Sequence, residues 1–133
     1  MKGNSLFLLI SVLFFSCTYK AEELFGVYVP NDYKNTFDTI QLNENKRYNR
    51  RVYDKNKKLV LEIQGQWDIK GDVIEFKAPY FFNLDRDLVE FPELLQDTIS
   101  NGIGIIWKKK NTLEFCIGHL AVDLPDQNCY KKQ

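Results

Sequence analysis

The stretch Leu59-Val60-Leu61-Glu62-Ile63-Gln64-Gly65-Gln66-Trp67-Asp68-Ile69-Lys70-Gly71-Asp72-Val73-Ile74-Glu75-Phe76-Lys77-Ala78 decides the fold. Leu59, Leu61, Ile63, Gly65, Trp67 and Ile69 share one parity, and Val60, Glu62, Gln64, Gln66 and Asp68 the other. A two-residue period of this kind belongs to a long strand with one face on a core and one toward water. Gly65 in its middle weakens a flat strand but lets it bend or coil, as strands must where a sheet curls into a barrel. Lys70-Gly71-Asp72 then turns the chain tightly into Val73–Ala78, where Ile74, Phe76 and Ala78 alternate with Glu75 and Lys77. The two runs make a β-hairpin.

Outward from this hairpin the same grammar repeats. Leu24–Val29 and Asp38–Asn43 read as strands, and Asn43-Glu44-Asn45-Lys46 turns into Arg47–Asp54. The polar run Asp54–Lys58 makes the next turn. On the other side Ile103, Ile105 and Trp107 alternate with Gly104, Ile106 and Lys108, Lys109-Lys110-Asn111 turns into Thr112–Leu120, and a short strand near Asn128–Lys132 ends the series. Short strands in close succession with little helix imply an all-β protein: an antiparallel up-and-down meander of about eight strands, closed or nearly closed. Pro79–Asp97 interrupts the pattern. Leu84, Leu88, Phe91 and Leu95 have helical spacing broken by Pro92, so irregular chain with at most a short helix is expected there. Its aromatic content (Tyr80, Phe81, Phe82, Phe91) suits a lid on one barrel end or an interface.

The chain opens differently. Lys2 is followed by an apolar run, Leu6–Phe15, and then Ser16-Cys17. About ten apolar residues are too few for a helix to cross a bilayer core, but they suit the hydrophobic region of an export signal. Phe14-Phe15-Ser16-Cys17 resembles the bacterial lipobox, in which a small residue precedes the cysteine that becomes the acylated N-terminus. The resemblance implies a lipoprotein signal peptide over 1–16, lipidation (palmitate among the acyl chains) at Cys17, and a bacterial cell-envelope location. An ordinary cleaved signal and an uncleaved anchor are the competing readings. A multiply acylated cysteine anchors stably, unlike a single chain. Thr18 in place of an aspartate favours, in the sorting logic of such lipoproteins, the outer membrane. Residues 17–23, with Lys20-Ala21-Glu22-Glu23, read as the lipidated cysteine and a short acidic tether, leaving 24–133 as one β-barrel domain.

With Cys17 lipidated, Cys116 and Cys129 remain as an even pair in an oxidising compartment, and a disulfide between them is expected, against an alternative of two unpaired thiols. The segment from Cys17 to Gln133 has the length of a single domain, and a composition that is 44% hydrophobic and 14% aromatic can build its core. Formal net charge is zero, which gives no reason to expect nucleic acid as a partner. Charge is unevenly spread, however. Lys46–Lys58 carries seven basic residues against Asp54, and Asp85–Asp97 five acidic residues against Arg86.

Several of these residues also resemble a family. Leu24-Phe25-Gly26-Val27-Tyr28 at the domain start, Ile40-Gln41-Leu42 with an Asn-rich turn and Tyr48, then Gly65-Gln66-Trp67-Asp68-Ile69 and Gly71-Asp72-Val73-Ile74 are similar to the lipocalin-like (calycin-type) domains of small bacterial lipoproteins. The family's opening Gly-x-Trp is here Gly-x-Tyr. The resemblance implies a lipocalin-like barrel behind the signal helix, able to hold one small apolar ligand or to be filled by its own side chains. It implies no chemistry and no cofactor.

Signals for catalysis are few. The single His, His119, is more often structural than a ligand, and no metal-ligand set, phosphate-binding glycine loop or nucleophile elbow occurs. No enzyme is expected. Two binding classes follow. In the first, Tyr28, Trp67, Phe76 and Trp107 line a cavity for a small hydrophobic ligand. In the second, an envelope protein, as the target of an inhibitor or immunity protein would be, meets either the basic edge of Arg47, Arg50 and Arg51 with Tyr48 and Tyr53, or the aromatic segment Tyr80–Phe91.

Overall fold

The alternation along 59–78 is realised as two paired strands of a closed barrel. The computed structural model describes residues 18–31, 37–54, 56–80, 100–118 and 129–133, with the backbone alone at 37, 78–80 and 100. A short helix, α1 (Ala21–Leu24), precedes eight strands: β1 (Gly26–Pro30), β2 (Phe37–Leu42), β3 (Arg47–Tyr53), β4 (Leu59–Lys70), β5 (Val73–Tyr80), β6 (Ser100–Lys109), β7 (Thr112–Ile117) and β8 (Cys129–Lys132). Each strand pairs antiparallel with the next, and β8 pairs with β1, so the expected all-β up-and-down meander closes fully. Closure removes the two free edge strands that an open eight-strand sheet would present. The signal segment 1–16, Cys17, the segment 81–97 and His119 lie outside the described residues.

Up-and-down order gives the barrel two unlike ends. At one end lie the turns β2–β3, β4–β5 and β6–β7, the start of β1 and the end of β8; here it is the closed end. Its turns are tight for local reasons. Lys110 and Asn111 both take positive φ, the type I′ geometry whose twist matches paired strands, and Gly71 takes φ 67° between β4 and β5. The β1–β2, β3–β4, β5–β6 and β7–β8 connections all leave from the opposite end, termed the open end from the described residues alone.

The N-terminal segment folds onto the closed end. Leu24 is fully buried, Tyr19, Ala21 and Phe25 pack on the core, and the Phe25 ring meets Trp67 edge-on at 6.2 Å. Hydrogen bonds fix it there. The Tyr19 amide donates to the Gly71 carbonyl (3.3 Å), the Tyr28 hydroxyl to the Leu24 carbonyl (2.9 Å), and Lys132 Nζ to the Glu23 carbonyl (2.7 Å). The stretch read as a short tether is therefore packed on the barrel from Tyr19 onward. Apolar Tyr19, Ala21, Leu24 and Phe25 recur at helix-like spacing among the charges, and that face finds the barrel.

Parity along the strands follows the sequence on β4 and β5, where Ile63, Trp67, Ile74 and Phe76 turn inward. On β6 it is inverted. Gly102, Gly104 and Ile106 are the buried positions, while Ile103 and Ile105 stand 54% and 50% exposed. The cause is volume. Gly102 lies directly across from Phe76, Gly104 lies beside Ile74, and Ile106 pairs Phe115, so the inner layer next to β6 is already filled by large side chains. A Cβ on Gly104 would stand 2.6 Å from the Cys116 carbonyl oxygen. Small-against-large alternation of this kind is how a narrow barrel interior is filled.

Gly65 shows the same device. Tyr48 faces it across β3 and β4, and its ring covers the missing side chain so closely that a Cβ would lie 2.6 Å from Cε1. Over β4 the Tyr48 hydroxyl donates to the Lys77 carbonyl of β5 at 3.4 Å. Gly65→Ala is expected to destabilise the protein by about 1–3 kcal/mol, the usual cost of overpacking. Chemical denaturation followed by tryptophan fluorescence measures it, and Tyr48→Leu in the Gly65→Ala background should return part of the loss.

Candidate functional site

Strand alternation carries a row of aromatic side chains into the barrel. Tyr28 on β1 lies 4.7 Å from Phe115 on β7, Phe115 lies 5.7 Å from both Phe76 and Tyr130, and Tyr48 meets Phe76 edge-on at 5.1 Å. Such offset and edge-on pairs contribute beyond their buried area. Three of the four residues expected to line a cavity, Tyr28, Trp67 and Phe76, are therefore inside, and they are packed against other side chains. Trp107 does not join them. Its register partner is Glu114, on the outer face of β7, and its indole N–H donates to the Glu114 carboxylate at 3.2 Å. The inward placement expected for Trp107 is thus corrected, and by the same inversion that turns Ile103 and Ile105 outward.

Toward the open end the interior becomes ionic. Arg50 is fully buried and Asp38 is 4% exposed. Arg50 Nε donates to both Asp38 oxygens (3.1 and 3.2 Å) and Nη2 to Oδ2 (2.6 Å). The Tyr130 hydroxyl donates to the same Oδ2 at 2.7 Å and stands 3.2 Å from Arg50 Nη2. Removing a guanidinium and a carboxylate from water is tolerated only where their geometry is good and the remaining polar atoms are satisfied, which this arrangement supplies. Sequence reading placed Arg50 on a basic edge with Arg47, Arg51, Tyr48 and Tyr53. Only part of that edge is a surface, because β3 alternates: Tyr48, Arg50 and Val52 turn inward, Arg47 is exposed, and Arg51 pairs outside with Glu62 at 2.9 Å. The signal was present, since Arg50 shares its parity with two apolar neighbours.

Elsewhere the barrel wall on β3 and β4 is polar. The Glu62 carboxyl is held below its ordinary range by hydrogen bonds from Asn49 and Arg51, and that of Asp68 by Lys46 and the Ile69 amide. An open groove of about 320 Å³ at the closed end is lined by Glu23, Lys108, Asn111, Thr112, Leu113, Lys132 and Gln133. No group of three or more His, Cys, Asp or Glu able to hold a metal occurs among the described residues. Cys116 and Cys129 face each other across β7 and β8 and form the expected disulfide, pinning the last strand beside the seam with β1.

Comparison of the chain with protein-family models, with curated proteins and with solved structures finds no match in any of the three.

Two expectations test the interior. Asp38→Asn strips the charge from one buried partner and should cost about 3–5 kcal/mol in urea denaturation, whereas joint replacement by Asp38→Leu, Arg50→Met and Tyr130→Phe should recover at least half of that loss. Burial also raises the Tyr28 phenol and pushes Tyr48 up to about 12, the latter against the opposing charge of Arg50. Both have an unfolded reference of 10.0, so their contribution to stability is full below pH 10; that of Tyr48 is lost as pH rises through about 12 and that of Tyr28 at higher pH still. Phenolate absorbance should accordingly show an early fraction near pH 10 and a late step that coincides with loss of the near-ultraviolet dichroism. A single smooth titration of every tyrosine near 10 would contradict it.

Proposed function

We propose that the chain is an exported, non-catalytic lipoprotein of the bacterial envelope, held at the outer membrane by acyl chains on Cys17, and that it binds an envelope protein through the outer face of its barrel. The observation that carries the reading is β6. Its exposed Ile103 and Ile105 stand side by side on the outer wall with the half-buried Val73 opposite Ile105, and Glu75, Lys77 and Asn101 border them. An apolar centre with a polar rim is the anatomy of a protein interface. The interior supports the same assignment indirectly. Tyr28, Tyr48, Trp67, Phe76, Phe115 and Tyr130 already occupy it, and a guest at their level would have to displace them.

A small hydrophobic ligand inside a lipocalin-like barrel is the second reading, and one observation favours it. The indole N–H of Trp67, 1% exposed, meets no acceptor among the described residues, and a buried donor left unpaired is costly. An acceptor on a guest molecule would satisfy it.

Native mass spectrometry of the protein extracted gently from its own membrane separates the two. The expected spectrum contains acyl mass on Cys17 and a protein-sized companion, and the companion is lost in Ile103→Lys with Ile105→Lys while the melting temperature is unchanged. A small retained mass insensitive to those substitutions would replace this reading by the interior binder. A bare monomer would overturn both.

A further inference from the structure

The closed end of the barrel carries an excess of unscreened positive charge next to the point where the chain leaves for Cys17. Lys70, Lys108, Lys109 and Lys110 are exposed there, and none has an ion-pair partner among the described residues. The lysines Lys46 and Lys77, by contrast, pair with Asp68 and Glu75. Counting the whole end, Lys20, Arg47, Lys70, Lys108, Lys109, Lys110 and Lys132 face Glu22, Glu23, Glu44 and Asp72. The lysine-bearing turns adjoin one another, because the Ile106 amide donates to the Asp72 carbonyl at 2.7 Å and so ties the end of β6 to the start of β5.

The N-terminal latch sets the distance of this end from any anchor. Tyr19 is already hydrogen-bonded to Gly71, in the turn that carries Lys70. Only two residue steps separate Tyr19 from Cys17, and fully extended chain covers roughly 7 Å in two steps. That is no longer than the screening length of about 8 Å at physiological ionic strength. A barrel on so short a tether cannot turn its open end toward the bilayer.

We propose that the closed end rests on an anionic lipid surface, with Lys70, Lys108, Lys109 and Lys110 at the headgroups. The inference rests on acylation of Cys17, part of the function proposed above, and it adds an orientation and a lipid preference. Each lysine near an anionic surface should strengthen the contact roughly fivefold. The open end then faces away from the membrane, and the Ile103–Ile105 wall stands perpendicular to it, accessible from the side.

The test uses the full protein reconstituted in vesicles of phosphatidylethanolamine with phosphatidylglycerol, with a fluorophore placed by Lys109→Cys at the closed end or by Asn56→Cys at the open end. Headgroup-labelled quencher lipids should quench the probe at 109 several-fold more than that at 56. The difference should shrink in neutral phosphatidylcholine, in high salt, and in Lys70→Glu with Lys108→Glu and Lys110→Glu. Equal quenching at the two ends overturns the proposal, as does a closed-end preference indifferent to lipid charge, salt and charge reversal. The mass of the same preparation reports acylation separately. Protein without acyl mass refutes the anchor, and the basic end is then judged by whether that protein sediments with phosphatidylglycerol vesicles and not with phosphatidylcholine ones.

Discussion

Asp38, Arg50 and Tyr130 meet inside the barrel from three strands, β2, β3 and β8, with β1 between the last and the first. The contact thus spans the seam where the sheet closes on itself. A one-residue slip of β3 would carry Arg50 to the outer wall and leave Asp38 buried alone, at a cost of several kcal/mol. The pair ties the register of β3 to the closure of the barrel and takes Arg50 away from the surface. Its weight lies more in specifying one arrangement than in added stability, because a well-packed apolar replacement can be as stable as a buried ion pair.

Given that register, the rest of the interior is a matter of volume. The Tyr48 ring leaves room for glycine alone at position 65 of β4, and the Cys116 carbonyl with the Ile117 side chain does the same at position 104 of β6. Gly65 is thus the complement of Tyr48 and Gly104 of the β7 backbone, while Ile103 and Ile105, of the opposite parity on β6, stand outward. The exposed isoleucine pair is a consequence of how the core is filled.

The architecture was legible in the sequence because period-two alternation and turn chemistry are local. The hairpin at Leu59–Ala78, the Lys110-Asn111 turn and the eight-strand meander all follow from residues within reach of one another. The candidate site was legible in part. Tyr28, Trp67 and Phe76 lie on parities that agree with their hydrophobicity, so they could be placed. Trp107, Ile103 and Ile105 could not, because whether a glycine or an isoleucine turns inward depends on Phe76 and Phe115, which reach β6 from neighbouring strands. Arg50 was misplaced for a related reason. Composition assigns a guanidinium to water, and its partner Asp38 lies on a different strand, invisible to local pattern.

The N-terminal segment carries the argument from fold to setting. Lys20-Ala21-Glu22-Glu23 has the composition of a solvated linker, yet Tyr19, Leu24 and Phe25 around it are buried or half-buried against the closed end. Free linker decouples a domain from its anchor, since a few flexible residues permit nearly every orientation. Once the chain is latched from Tyr19 onward, that freedom is gone, and an anchor on Cys17 would also aim the barrel. The same contacts that shut one end, Phe25 on Trp67 and Tyr19 on Gly71, would then decide which residues a membrane meets and which remain available to a partner.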